Sequence, residues 1–313
     1  MQGAFLQIIS MFLVMALGVY LRKRDIFSPT AIKQINKLTI HYLFPALFFV
    51  QIVNMNLVEV FNVRFILAAI VVLLVTYFIS LGVAMVMTKD HRKRVATTHL
   101  IYVANLVVVG TPMVESTFNK PEYTALAILV LFFGLFFHNI IPITQFELLG
   151  GTKESMLKIV LRVFKNPIVA SILIAAVLNL VDMHVGFFKT YAAQFILKPL
   201  GMLGHTAPTM VFMCIGYGLN LSLDKKKTGE LAVISLVSLI AIPFITYGLA
   251  MVFALPHDLA LILTIMFASP TAPYIYNIMV PYDLELDLTQ HAVVTTMIGY
   301  LVVMPVILLV LGV

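Results

Sequence analysis

The chain has 313 residues, of which 61% are apolar and 11% charged, with a mean hydropathy of +1.05 and a formal net charge of +6. So few charges cannot clothe a soluble domain of this size, which excludes the globular class and points to a polytopic membrane protein. A lone Cys214 excludes an intrachain disulfide, and the positive balance has a topological origin, so no nucleic-acid partner is expected.

Ten apolar runs follow in chain order, near residues 4–21, 35–53, 65–87, 98–117, 123–146, 167–185, 200–222, 231–254, 259–280 and 290–312. Each is long enough, or nearly so, to cross about 30 Å of hydrocarbon, so the expected fold is an all-α membrane protein with ten transmembrane helices. The first run lacks a basic leader and a small-residue cleavage site, and reads as a retained helix. With the N-terminus outside, the inner loops collect 16 of the 20 basic residues: Arg22 to Arg24, Lys33, Lys37, Lys89, Arg92 to Arg94, Lys153, Lys158, Arg162, Lys165 and Lys225 to Lys227. That asymmetry places both termini on the extracytoplasmic side. One inner turn carries Asp283, Glu285 and Asp287 instead, but acidic residues weigh little in orientation. Residues 186–199 carry Phe187, Phe188, Tyr191, Phe195 and Ile196 at helical spacing among Lys189, Gln194 and Lys198, and read as an interfacial helix leading into the seventh run.

The runs repeat. Phe78 to Val86 matches Phe244 to Val252, Pro45 matches Pro208, and Pro142 matches Pro305, at offsets of 163 to 166 residues. Five crossings per half force the second half to enter from the opposite face, so residues 1–150 and 151–313 form a 5+5 inverted repeat with the boundary at Gly150-Gly151-Thr152-Lys153-Glu154. The fourth and ninth runs are each interrupted by proline, at Pro112 and at Pro270 with Pro273. Proline has no N–H and frees the carbonyl four residues earlier. Hydrocarbon cannot solvate that carbonyl, so two crossing, proline-broken helices are expected beside a cavity near the midplane.

Candidate ligand residues cluster at these breaks. Asn105, Gly110, Thr111 and Pro112 come from the first half, and Pro270, Thr271, Pro273, Tyr274 and Asn277 from the second; His138 and Asn139 sit centrally in the fifth run. A helix restarting beyond a break has unpaired N–H groups and a positive dipole end, so two restarts can hold an anion without lysine or arginine. Asn105 can donate to a carboxylate or simply bond a neighbouring helix. His138 can carry a proton or pack, and Glu115 can couple protons or sit at the outer interface. His41 and His205, beside the matched prolines, suit packing as readily as proton traffic. No metal or cofactor site is expected, and the absence of His-Glu-x-x-His, Gly-x-Ser-x-Gly and phosphate-loop patterns argues against an enzyme.

Asn105 to Pro112, an Asn-x4-Gly-x-Pro pattern, resembles the fourth-helix crossover of the auxin efflux carrier family, which contains plant PIN-type transporters and bacterial organic-acid permeases. Ile35 to Leu38 with Leu43 to Leu47 resembles its second helix, Leu203 to Gly216 its seventh, and Ala268 to Pro273 with Tyr282-Asp283 the ninth-helix segment of bacterial members. The likeness spans essentially the whole chain. It implies a scaffold domain from the helices near 4–21, 35–53, 167–185 and 200–222. The transport domain it implies comprises the helices near 65–146 and 231–312, moving like an elevator. It further implies an organic-anion substrate, with Asn105, Pro112, Pro270 and Pro273 at its site, a homodimer through the scaffold, and the plasma membrane (a bacterial inner membrane) as location. Sodium–bile acid symporters share this fold, but no acidic residue lies within the ninth run. The short stretch between halves favours a bacterial-type permease. The expected function is therefore a carrier of a malate-like or malonate-like carboxylate; the alternative is a receptor that binds a carboxylate or auxin-like ligand without moving it.

Overall fold

A computed structural model describes residues 2–55, 57, 61–150, 155–218 and 227–312. The expected boundary at Gly151 to Glu154, the loop cations Lys153, Lys225 and Lys226, and the end of the seventh run lie outside the described residues. Among the described residues there is no strand beyond one isolated β-bridge. Seven helices or helix pairs have the length and apolarity to cross a membrane: 6–23, 29–53, 63–87, 121–146, 167–185, 228–252 and 286–310. These coincide with seven of the ten runs. The fourth and ninth runs are split into shorter apolar pieces, and the seventh is kinked at Thr206 between two helices.

In chain order the helices are α1 (Gln2–Lys23), α2 (Pro29–Leu38), α3 (Phe44–Val53), α4 (Val63–Met87), α5 (His91–Tyr102), α6 (Thr111–Phe118), α7 (Pro121–Gly150) and α8 (Met156–Phe164). They continue with α9 (Pro167–Val185), α10 (Tyr191–His205), α11 (Ala207–Gly218), α12 (Thr228–Leu236), α13 (Ile242–Val252), α14 (His257–Phe267), α15 (Tyr274–Met279) and α16 (Leu286–Val310). The expected interfacial helix runs on as α10, through Pro199 to His205, with Tyr191, Phe195 and Ile196 exposed.

Three π-helical turns occupy Thr39–Leu43, Leu106–Gly110 and Val237–Ala241. Each ends two residues before a proline: Pro45, Pro112 and Pro243. The i→i+5 register of a π turn widens the helix where the proline ring would otherwise strike the carbonyl four residues back, so the rod continues through the proline. This corrects the expectation that Pro112 itself breaks the fourth run. The break lies seven to nine residues earlier, at Val103 to Asn105, and Pro112 is buried inside a continuous helix over Leu106–Phe118. In the ninth run the break does sit at the prolines: α14 ends at Phe267, and α15 starts after Pro273.

α1 lies along α11 and also packs on α6, and α3 packs on α9 and α10. Contact between α1 and α11 is backbone to backbone: a Cβ on Gly216 would stand 2.0 Å from the Met15 carbonyl oxygen, and one on Gly18 would stand 2.2 Å from that of Met213. Elsewhere α4 packs on α5, α13 on α14 and α12 on α16. Beside these helices Lys93 pairs with Glu230 and Lys227 with Asp287, while Arg92 donates to the Tyr282 carbonyl at 2.7 Å. The acidic turn that stood apart from the charge asymmetry thus lies against basic residues. The outer surface is apolar, with Phe12, Leu13, Phe78, Val177 and Val302 exposed, as lipid-facing positions require.

Candidate functional site

The two interruptions lie side by side. Ala104 and Thr271 form an antiparallel bridge, flanked by Asn105 N–H donating to Pro270 O at 2.8 Å and Ala272 N–H donating to Val103 O at 2.9 Å. The pattern is two-fold: in each strand the residue after the bridge donates to the residue before it in the other. Thr271 completes the satisfaction of this buried backbone. Its N–H donates to Thr296 Oγ1 at 3.1 Å, and its hydroxyl donates to the Leu100 carbonyl at 2.7 Å, near the end of α5. Carbonyls and amides that lipid could not solvate therefore find protein partners, which is what permits the break.

A cavity of about 350 Å³ opens beside this bridge. Of the residues singled out in the sequence, Asn105, His138, Asn139, Pro273, Tyr274 and Asn277 line it. Gly110, Thr111, Pro112, Pro270 and Thr271 do not. A Cβ on Gly110 would meet Met266 Sδ and Ser269 Oγ at 3.0 Å each, so that glycine lets the restarted helix lie against the end of α14 rather than against a ligand. Thr111 bonds the Leu106 carbonyl at 3.0 Å. Glu115 also lies off the cavity wall and accepts from Gln51 of α3 at 3.3 Å.

Asn105 stands at the start of the restarted helix as its N-cap. Its Oδ1 accepts from Val108 N–H at 3.3 Å, and its backbone carbonyl accepts from both Val109 and Gly110. With the oxygen engaged, the amide nitrogen Nδ2 remains: buried and without a hydrogen-bond partner, on a residue that lines the cavity. A buried donor with no acceptor costs roughly 1–3 kcal/mol, so its presence at a cavity points to a ligand acceptor. The positive end of the Leu106–Phe118 helix adds to the same preference for negative charge.

The second restart differs from expectation. α15 has only six residues, and the N–H groups of Ile275 and Tyr276 are taken by the carbonyls of Ala272 and Pro273. The first restart is little freer, since Leu106 donates to the Ala104 carbonyl at 3.0 Å and Val108 to Asn105 Oδ1, and the second half contributes the Tyr274 and Asn277 side chains to the cavity wall.

Sequence reasoning missed Lys33, Asn36, Asn166 and Cys214 on the same wall. Lys33 and Asn36 lie three apart on α2, on one face of that helix, and Lys33 makes no ion pair among the described residues. The i, i+3 spacing was readable; what hid it was that Lys33 sits in a loop-flanking turn and counts as an ordinary topology charge until α2 is seen to face the cavity. No carboxylate lines the cavity, and no cluster of three metal-ligating side chains occurs among the described residues.

An all-helical, lipid-surfaced bundle with an interrupted pair of helices beside a polar-edged cavity is the build of a membrane carrier. The family model described as "membrane transport protein" matches residues 4–308, so the chain belongs to that family, the auxin efflux carrier and PIN-like group. No curated protein matches the chain closely enough to lend it a more specific assignment.

Proposed function

We propose that the protein is a secondary transporter of a small organic anion, a carboxylate of the malate or malonate kind, bound in the cavity beside the paired breaks. The observation that carries the reading is the unpartnered amide of Asn105 at a helix N-terminus, beside a cavity whose wall holds Lys33 and, among the described residues, no acidic one. A carboxylate can accept from Asn105 Nδ2 at one end and face the Lys33 ammonium at the other, a two-ended fit that suits a dicarboxylate.

Further parts of the reading are the ten-helix 5+5 inverted repeat, with the fourth and ninth crossing at the bridge, and a plasma-membrane topology with both termini outside. The pairing of α1 with α11 and of α3 with α9 supports a scaffold built on those four helices, against a transport unit built on α4 to α7 and α12 to α16, with the cavity between them. An elevator movement of the transport unit against the scaffold would carry the site across, and a homodimer would form through the scaffold. Chemistry on the substrate is not part of this reading, which is of a carrier and not an enzyme.

Proteoliposomes loaded with one dicarboxylate and offered radiolabelled malonate outside test it. Accumulation that Asn105→Ala removes is the expected result; binding without accumulation would identify a receptor instead, and no binding of any carboxylate would overturn the reading.

A further inference from the structure

His138 of α7 is 1% exposed, lines the cavity, and its Nε2 has no hydrogen-bond partner among the described residues. The titratable groups around it come from four directions. Tyr102 of α5 places its ring edge-on at 4.7 Å, with its hydroxyl buried and unpartnered. His99, one turn earlier on α5, contacts Tyr102 at 6.2 Å between ring centres. Tyr274 of α15 donates weakly to the His138 carbonyl at 3.5 Å, and Lys33 of α2 and Cys214 of α11 stand on the other walls of the cavity. Behind them, Tyr77 of α4 bonds Gln145.

His99 and His138 each keep one unpartnered ring nitrogen, but only His138 lines the cavity. The Gln145 amide nitrogen donates to Tyr77, so its oxygen accepts from His99 Nε2 at 2.7 Å, and that ring is held by protein. No hydrogen bond to protein holds the His138 ring among the described residues. Among the described residues no carboxylate lines the wall to balance an imidazolium there, and an uncompensated charge in a buried site is strongly unfavourable. An anion in the cavity supplies the countercharge these residues lack.

We propose that His138 takes up one proton when the carboxylate binds, so that the carrier moves a proton together with its anion. This rests on the carboxylate reading above. Atoms and charge balance simply: a proton from solvent joins the free lone pair of the His138 ring as the anion enters, and both leave together. By linkage the proton and the anion must favour each other's binding by the same factor. Carboxylate affinity therefore falls as pH rises through the neutral range, approaching about tenfold per pH unit where one proton is taken up.

The test is calorimetric titration of malonate into the detergent-solubilised protein at pH 7.5, in buffers of different ionisation enthalpy. At this pH malonate is fully ionised and brings no proton of its own. A dependence equivalent to about one proton taken up per anion is expected for the wild type and for His99→Gln. His138→Gln and His138→Asn should bind more weakly with no proton uptake. Malonate binding without buffer dependence in the wild type, or uptake unchanged in a folded His138 variant, would sink this inference and leave the carrier reading standing. Absence of malonate and malate binding altogether would remove both.

Discussion

Asn105 donates its backbone N–H to the Pro270 carbonyl at 2.8 Å while its own side-chain oxygen caps Val108, so a single residue ties the two interruptions together and begins the restarted helix. The Nδ2 amide is left without a partner, on a residue that lines the cavity. On the proposed carrier reading, structure and recognition are separable at one side chain, the oxygen serving the first and the nitrogen the second.

Asn105→Ala should lose both, with the cap costing about 1 kcal/mol of stability and the lost charge-assisted donor weakening carboxylate binding by about ten- to a hundredfold. Asn105→Ser keeps a capping oxygen but has no amide to offer the anion. Its thermal unfolding should stay near wild type while binding weakens as in Asn105→Ala. Unchanged carboxylate binding in either folded variant would remove Asn105 from recognition.

Lys33→Gln should weaken dicarboxylates more than monocarboxylates. Lys33 is exposed at the cavity wall, so the effect is modest, about two- to fivefold, and should shrink further in high salt. Titrations of malonate and propionate at two salt concentrations read it. An equal change for both ligands would assign Lys33 to general attraction and not to a second pole.

Gly216→Ala should destabilise the bundle by about 1–3 kcal/mol, since the added methyl would meet the Met15 backbone and must push α1 off α11. Gly248→Ala, with nothing within 4 Å of its Cβ, should be neutral or gain up to about 1 kcal/mol from helix propensity. Unfolding temperatures of the pair in the same detergent check the contrast.

Asp90 caps α5 from outside the membrane-spanning helices, and the hydrogen bond from the Lys93 N–H holds its carboxyl below the usual aspartate range. A lowered folded-state value means the cap contributes in full above the unfolded value, near about 3.9, and is lost as pH falls through the folded one. Asp90→Asn caps without titrating, so stability followed from pH 6 down to pH 2 should fall less steeply in that variant than in the wild type. Parallel curves would show that the cap does not titrate with folding.

Much was legible in the chain. Apolar length set the spans at 63–87, 121–146, 167–185 and 286–310 within a few residues, and Asn-x4-Gly-x-Pro pointed to the right stretch of the fourth run. The place of its break was missed, because a proline's missing N–H is visible in a sequence while the compensating π turn over Leu106–Gly110 is not. Half the candidate site was legible for a related reason: Asn105, His138 and Tyr274 stand out as polar residues in apolar runs, whereas Lys33 and Asn36 look like ordinary loop-side residues.

By itself the sequence determined that the chain must live in a bilayer and where most of its helices run, since these follow from hydrophobic length. Only the tertiary structure decided which backbone groups pair across the breaks, which of Asn105's two polar atoms is spent on the fold, and that α2 brings Lys33 to face it. Those depend on atoms far apart in the chain meeting at distances of a few ångströms, which no local pattern encodes.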